Sequence, residues 1–169
     1  MLTADEVVAM LRLKVHPIEG GWFRETQRTA GALPGGTLAD YPAERSLGTS
    51  IYFLLSENTV SEMHRLPGDE IFHFYLGDPM EMLQLHPDGA SRVVVLGSDL
   101  RAGQEPQLTV PGGVWQGSRP LAGMHGYTLL GCTMAPGFDY ADYVRGKRAE
   151  LAAAWSCPTE LLEALTPHG

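Results

Sequence analysis

Two histidines and a carboxylate stand close together in His64-Arg65-Leu66-Pro67-Gly68-Asp69-Glu70-Ile71-Phe72-His73-Phe74-Tyr75-Leu76-Gly77. Imidazole and carboxylate groups bind divalent transition metals, and they are also the usual carriers of protons near neutral pH. They border an apolar, aromatic run that ends on glycine, a pattern suited to a strand lining a small barrel. A transition metal usually takes at least about three protein ligands. His64, Glu70 and Gln116 could supply a mixed nitrogen and oxygen set, with His73 as a further candidate.

Side chains alternate faces along a strand, so Glu70, Phe72 and Phe74 should share one face and Ile71, His73 and Tyr75 the other. Glu70 and His73 meet in one site only if the strand begins after Glu70 or carries a bulge. Simpler roles compete with the chemical ones. His73 can be a core histidine satisfied by a carbonyl. Glu70, costly to bury alone, can pair with Arg65 or Arg24 at the barrel mouth. Gln116 can be a hydrogen-bonded interior amide.

The elements around these residues read as one domain. At 169 residues, with 44% hydrophobic and 19% charged, the chain can bury a single core. Thr3 and Glu6 form a capping box ahead of Val7, Val8 and Leu11, which predicts a helix over 3–13. His16-Pro17 ends it. Glycine (20) and proline (12) then punctuate short apolar runs. The strands expected are Trp22–Thr29, Ser50–Leu55, Glu70–Leu76, Met80–Leu85, Arg92–Leu96, Gln107–Val110, Trp115–Ser118 and Tyr127–Met134. His86-Pro87-Asp88-Gly89 is a turn, 30–48 a long loop, and Arg145–Ala154 and Pro158–Ala164 short closing helices. Many short strands with little helix between them favour an all-β jelly-roll barrel with short N- and C-terminal helices.

The formal net charge of −8 argues against a nucleic-acid surface, and no run of about 18 apolar residues offers a membrane span. The acidic N-terminus is unlike a signal peptide, and Cys132 and Cys157 are too few for a disulfide framework. A cytoplasmic protein without nucleic-acid or membrane partners is expected. Ser50 and Ser118 lack the Gly-x-Ser-x-Gly context of a hydrolase nucleophile. Glu19-Gly20-Gly21 reads as a sharp turn, Phe138-Asp139-Tyr140 as a lock or a lid, and His16, His86, His125 and His168 as turn or tail residues rather than ligands.

Taken in order, several segments resemble the cupin superfamily, and within it a small bacterial and fungal branch long filed as a domain of unknown function. They are His16 through Thr26, Ser50 through Leu55, His64 through Gly77, Gly97 through Leu100, Val110 through Gln116 and Gly131 through Tyr140. The resemblance implies a cupin double-stranded β-helix and a homodimer built by strand exchange. Cupins in general carry His-x-His, a Glu, a glycine seven residues later, and a second block Pro-x-Gly-x-x-His. Here Glu70 to Gly77 keeps the spacing and His64 matches the first His. Leu66 stands where the second would be, and Gln116 replaces the last His of Pro111-x-Gly113-x-x-Gln116.

Two classes of function follow. One is an enzyme on a small polar metabolite, such as a sugar or nucleotide-sugar isomerase or epimerase. Its proton carriers would be His64 and His73, with Glu70, Gln116, Tyr75 and Arg24 binding ligand. Some related cupins, the deoxysugar-nucleotide epimerases, pair a His base with a Tyr acid, for which Tyr52, Tyr75 and Tyr127 are available. The other is a non-catalytic cupin that binds or senses a small molecule or a divalent transition metal. A redox enzyme using iron or manganese would need a fuller ligand set.

Overall fold

The computed structural model describes residues 1–169. Its first helix, α1 (Ala4–Leu11), opens on the capping box: Glu6 N donates to Thr3 Oγ1 at 3.3 Å and Thr3 N to the Glu6 carboxylate at 2.8 Å. Arg12, in the left-handed region, closes it. The strands are β1 (Lys14–Val15), β2 (Trp22–Arg28), β3 (Ala32–Leu33), β4 (Arg45–Ser46), β5 (Thr49–Ser56), β6 (Ser61–Arg65) and β7 (Glu70–Gly77). They continue with β8 (Met80–Leu85), β9 (Ser91–Leu96), β10 (Gln107–Val110), β11 (Trp115–Pro120), β12 (Tyr127–Met134) and β13 (Val144–Arg145), before α2 (Arg148–Ala154) and α3 (Thr159–Ala164).

Two antiparallel sheets, ordered β1-β2-β5-β12-β7-β10 and β13-β6-β11-β8-β9, pack as a jelly roll. Their inner faces share one apolar core: Phe53, Leu55, Phe72, Leu130 and Cys132 from the first sheet meet Met80, Met82 and Leu96 from the second. Outside, α1 covers the first sheet through Val7 on Leu54, Tyr127 and Leu129. Helices α2 and α3 cover the second, with Leu151, Leu161, Leu162 and Leu165 on Met63, Leu83 and Leu85. Full burial of such a side chain contributes about 1.5–3 kcal/mol, so these faces anchor the short helices that propensity alone would not hold.

Strand β6 has no counterpart among the expected strands. Glu62 interrupts its apolar pattern, yet is buried by pairing with Arg145 (3.3 Å) and His168 (3.0 Å). The loop expected over 30–48 contains only the small ribbon of β3 and β4. At Gly20 φ is +108°, and a Cβ there would collide with the Val60 carbonyl, so glycine brings the 16–21 segment against the start of β6.

Candidate active site

One open end of the barrel is polar where the rest of the interior is apolar, and three local features build it. The first is a bulge. Gln116 on β11 pairs with His64 on β6, but Ser118, two residues on, pairs with Ser61, three residues back. The extra residue turns Ser61 and His64 to the same inner face, opposite Gln116 and Ser118. The second is the regular start of β7, which sends Glu70 inward beside Phe72. The third is the turn after α1, which lays His16 and Glu19 across the opening.

The hydrogen bonds fix the state of each ring. His64 Nδ1 lies 2.7 Å from the Glu62 carbonyl, which can only accept, so Nδ1 carries a hydrogen and, in the neutral ring, Nε2 is the nitrogen that holds the lone pair. The ring stacks on Tyr143 at 4.9 Å and is 1% exposed. His16 has the opposite tautomer, because its Nδ1 accepts from Glu19 N at 3.0 Å and the hydrogen sits on Nε2. Burial pushes its pKa down, so the ring is neutral at neutral pH. Ser61 Oγ donates to Glu19 Oε1 at 2.5 Å.

Glu70 is the central group. Gln116 Nε2 donates to its Oε2 at 2.7 Å, and the buried Cys132 thiol lines the same cavity. Burial, and then the negative charge of Glu19, push its carboxyl pKa up to about 7, against the opposing pull of His64, Gln116 and Cys132. Burial and the neighbouring carboxylates likewise raise the Cys132 thiol and the Tyr143 phenol, so both stay protonated. A cavity of about 310 Å³ opens above Glu70, walled by His16, Glu19, Phe23, Leu66, Phe138 and Tyr140, with Lys14, Glu25 and Arg28 toward its rim. This volume suits a small metabolite.

The structure therefore gathers His64, Glu70 and Gln116 and separates them from His73, Tyr75 and Arg24. Strand β7 starts at Glu70 and stays regular through His73, its register shift falling only at Tyr75, so His73 faces the outer side of the sheet. There His73 Nε2 bonds Thr133 Oγ1 at 3.1 Å, a hydroxyl rather than a carbonyl. Tyr75 and Tyr52 meet edge to face at 6.0 Å on that same outer side, and Arg24 lies 5.4 Å over the Tyr52 ring. Tyr127 packs under α1. None of the three tyrosines expected as an acid lines the pocket; Tyr140 does so instead, and Tyr143 stacks on His64. Glu70 makes no ion pair with Arg65, which stacks on Trp115 at 4.8 Å.

His16, Glu19, Cys132 and Tyr143 were not read as site residues, because distant loops and strands deliver them. Only the glycine pair after Glu19 marked that segment as closely packed.

The residues do not fit a divalent transition metal. Leu66 cannot ligate, His16 presents N–H rather than a lone pair, and the Gln116 amide directs its N–H at Glu70. No group of three or more His, Cys, Asp or Glu side chains is arranged to hold a metal ion.

A profile described as "Cupin superfamily (DUF985)" matches residues 5–145. The chain belongs to the cupin superfamily. Among solved structures, this cupin is similar to a hypothetical protein from Leishmania major (30% identity, TM-score 0.86, covering 98% of this chain and 99% of that one). It is equally similar to protein SO0799 from Shewanella oneidensis (33% identity, TM-score 0.85, 98% of each chain). The uncharacterized yeast protein YML079W (Saccharomyces cerevisiae) is 28% identical over 134 residues, 74% of this chain; the match spans 66% of the yeast protein's own length. Oxalate decarboxylase from Bacillus subtilis matches 90% of this chain and 33% of its own at 16% identity and a TM-score of 0.54, a likeness of fold alone. No helix is long and apolar enough to cross a membrane.

Proposed function

We propose that this cupin binds a small polar metabolite at the open end of its barrel and moves a proton on it, as an isomerase or epimerase does. The observation that carries the reading is the pairing of a buried His64, whose neutral ring bears a lone pair on Nε2, with a buried Glu70 held by Gln116 and shared between its protonated and ionised forms near neutrality. One group is thus ready to accept a proton and the other to give one, the division of labour that acid–base catalysis requires. On a sugar-like substrate, His64 would take the proton from a carbon beside a carbonyl while Glu70 gives one to the carbonyl oxygen. The resulting enediol then takes the proton from His64 on the former carbonyl carbon and gives the hydroxyl proton of the neighbouring carbon to Glu70, which moves the carbonyl and restores both groups. In an epimerisation the proton returns instead to the opposite face of the original carbon, once the intermediate has turned, and the enol hydroxyl gives its proton back to Glu70. Tyr143 stacks on the His64 ring and steadies its orientation.

Incubation in deuterium oxide with a panel of sugars and nucleotide-sugars tests this by mass spectrometry. Deuterium should enter at least one substrate with the native protein and not with His64→Gln. Exchange with no member would favour non-catalytic binding, which the enclosed, acceptor-rich cavity also supports.

We further infer a homodimer formed through the outer face of the first sheet. Tyr75 and Leu76 are 48% and 40% exposed there, beside Met10 of α1 at 68%, and together they border an entirely apolar groove. Pairing this face would bury surface that a lone copy leaves in water and would give His73, Tyr75 and Arg24 an intersubunit role.

A further inference from the structure

The polar end of the barrel is rich in hydrogen-bond acceptors and poor in donors and positive charge. Glu19 and Glu70 line the same cavity. Glu19 Oε2 has only His16 Nε2 nearby, at 3.9 Å, beyond hydrogen-bonding distance. Gln116, 2% exposed, spends its N–H on Glu70 and leaves Oε1 buried without any partner. Behind Glu70, the neutral His64 ring holds a lone pair on Nε2. Against these, the interior donors are the His16 Nε2 hydrogen and the Tyr143 and Ser118 hydroxyls, both unpartnered, and none of the three carries a positive charge. The basic side chains stand at the rim: Arg28 is tied to Glu25 at 2.8 Å, and Lys14 makes no ion pair.

A buried acceptor left unmatched costs about 1–3 kcal/mol, and two carboxylates in one cavity repel. The group that would satisfy all of them is a donor with several hydrogens and a positive charge. The walls agree. Phe23 and His16 meet edge to face at 4.6 Å, and Phe138 and Tyr140 at 5.1 Å, so aromatic rings surround the entrance to the two carboxylates. Aromatic faces attract cations and tolerate the carbon frame that carries them.

Building on the reading of this cavity as a metabolite pocket, we propose that its ligand carries a primary ammonium group, which sits between Glu19 and Glu70, the carboxylate to which the half-satisfied Gln116 amide is bonded. The ligand is then a small amine, such as an amino sugar or amino alcohol. Lys14 and Arg28 at the rim orient it with the ammonium inward and repel molecules positive at both ends.

Two sets of isosteric probes test the assignment by calorimetry and ligand-observed NMR at pH 7.5. One is glucamine, sorbitol and gluconate; the other is butylamine, butanol and butyrate. In each set the carbon frame is kept and only the end group changes. The amine should bind at least about tenfold more tightly than its alcohol, and the carboxylate least. Glu70→Gln and Glu19→Gln, each checked for native circular dichroism, should each shrink the amine's advantage to about threefold or less. Equal binding of sorbitol and glucamine, or preference for a carboxylate, would overturn the ammonium assignment and leave the metabolite pocket standing. Absence of binding by all six probes at about 10 mM would count against both.

Discussion

Glu70 concentrates the chemistry of this cupin in one side chain. Its carboxyl pKa is raised to about 7 in the fold, above its ordinary value of 4.5. Between those values the native state keeps a proton that the unfolded chain has lost, so stability falls as pH rises through that window and stays reduced above it. Glu70→Gln should therefore stabilise the protein by on the order of 2–3 kcal/mol at pH 8 and by far less at pH 4.5, measured by urea denaturation at the two pH values. The cost of Glu70 to the native protein is what a binding residue, rather than a structural one, is expected to carry. His64, Glu70 and Gln116 were legible in the sequence because their spacing around Pro-Gly turns follows the cupin pattern. His73 was not placed by spacing alone. Its facing depended on where the bulge in β7 falls, and the register shift comes after it, at Tyr75. Glu19 and Tyr143 lie 51 residues before and 73 after Glu70, and no local periodicity links them to it.

At the level of elements, the site depends on segments that cross between the sheets. Arg45 holds Asp142 through Nε and Nη2 (2.8 and 2.5 Å), with both side chains buried. This pair pins the 31–46 loop to the segment carrying Tyr140 and Tyr143. Arg45→Ala should cost roughly 2–4 kcal/mol, because Asp142 is left buried without its partner. It should also weaken ligand binding by loosening that segment, which thermal denaturation and probe titration can follow together. Thr3→Ala, at the N-cap of α1, should cost only about 1 kcal/mol and leave the site untouched. The helices and most strands were readable from caps, alternation and turns. Strand β6 was not, since a buried glutamate and a bulge hide its alternation, and those same two features place His64 and Ser61 together.

On the scale of the whole molecule, two sheets, three short helices and one polar opening account for the distribution of side chains. The apolar groove beside α1 is the feature that a single copy leaves unexplained. If two copies meet there, sedimentation equilibrium should give twice the mass of 18.4 kDa, and Leu76→Asp with Tyr75→Asp should return the monomer without loss of native circular dichroism. A native monomer at micromolar concentration would contradict the dimer. The fold class followed from the chain's punctuation by glycine and proline, whereas the outer face could not be assigned, since exposed apolar residues on a strand look the same in sequence as buried ones.

The central claim is that the barrel raises the pKa of one buried carboxyl group, Glu70, to about neutral pH, beside the imidazole of His64. Carbon-13 NMR of the protein labelled at glutamate side-chain carboxyls tests it directly, with Glu70→Gln supplying the assignment. The account predicts that the resonance missing from the variant titrates with a midpoint near pH 7. A midpoint near the ordinary value of 4.5 would contradict it.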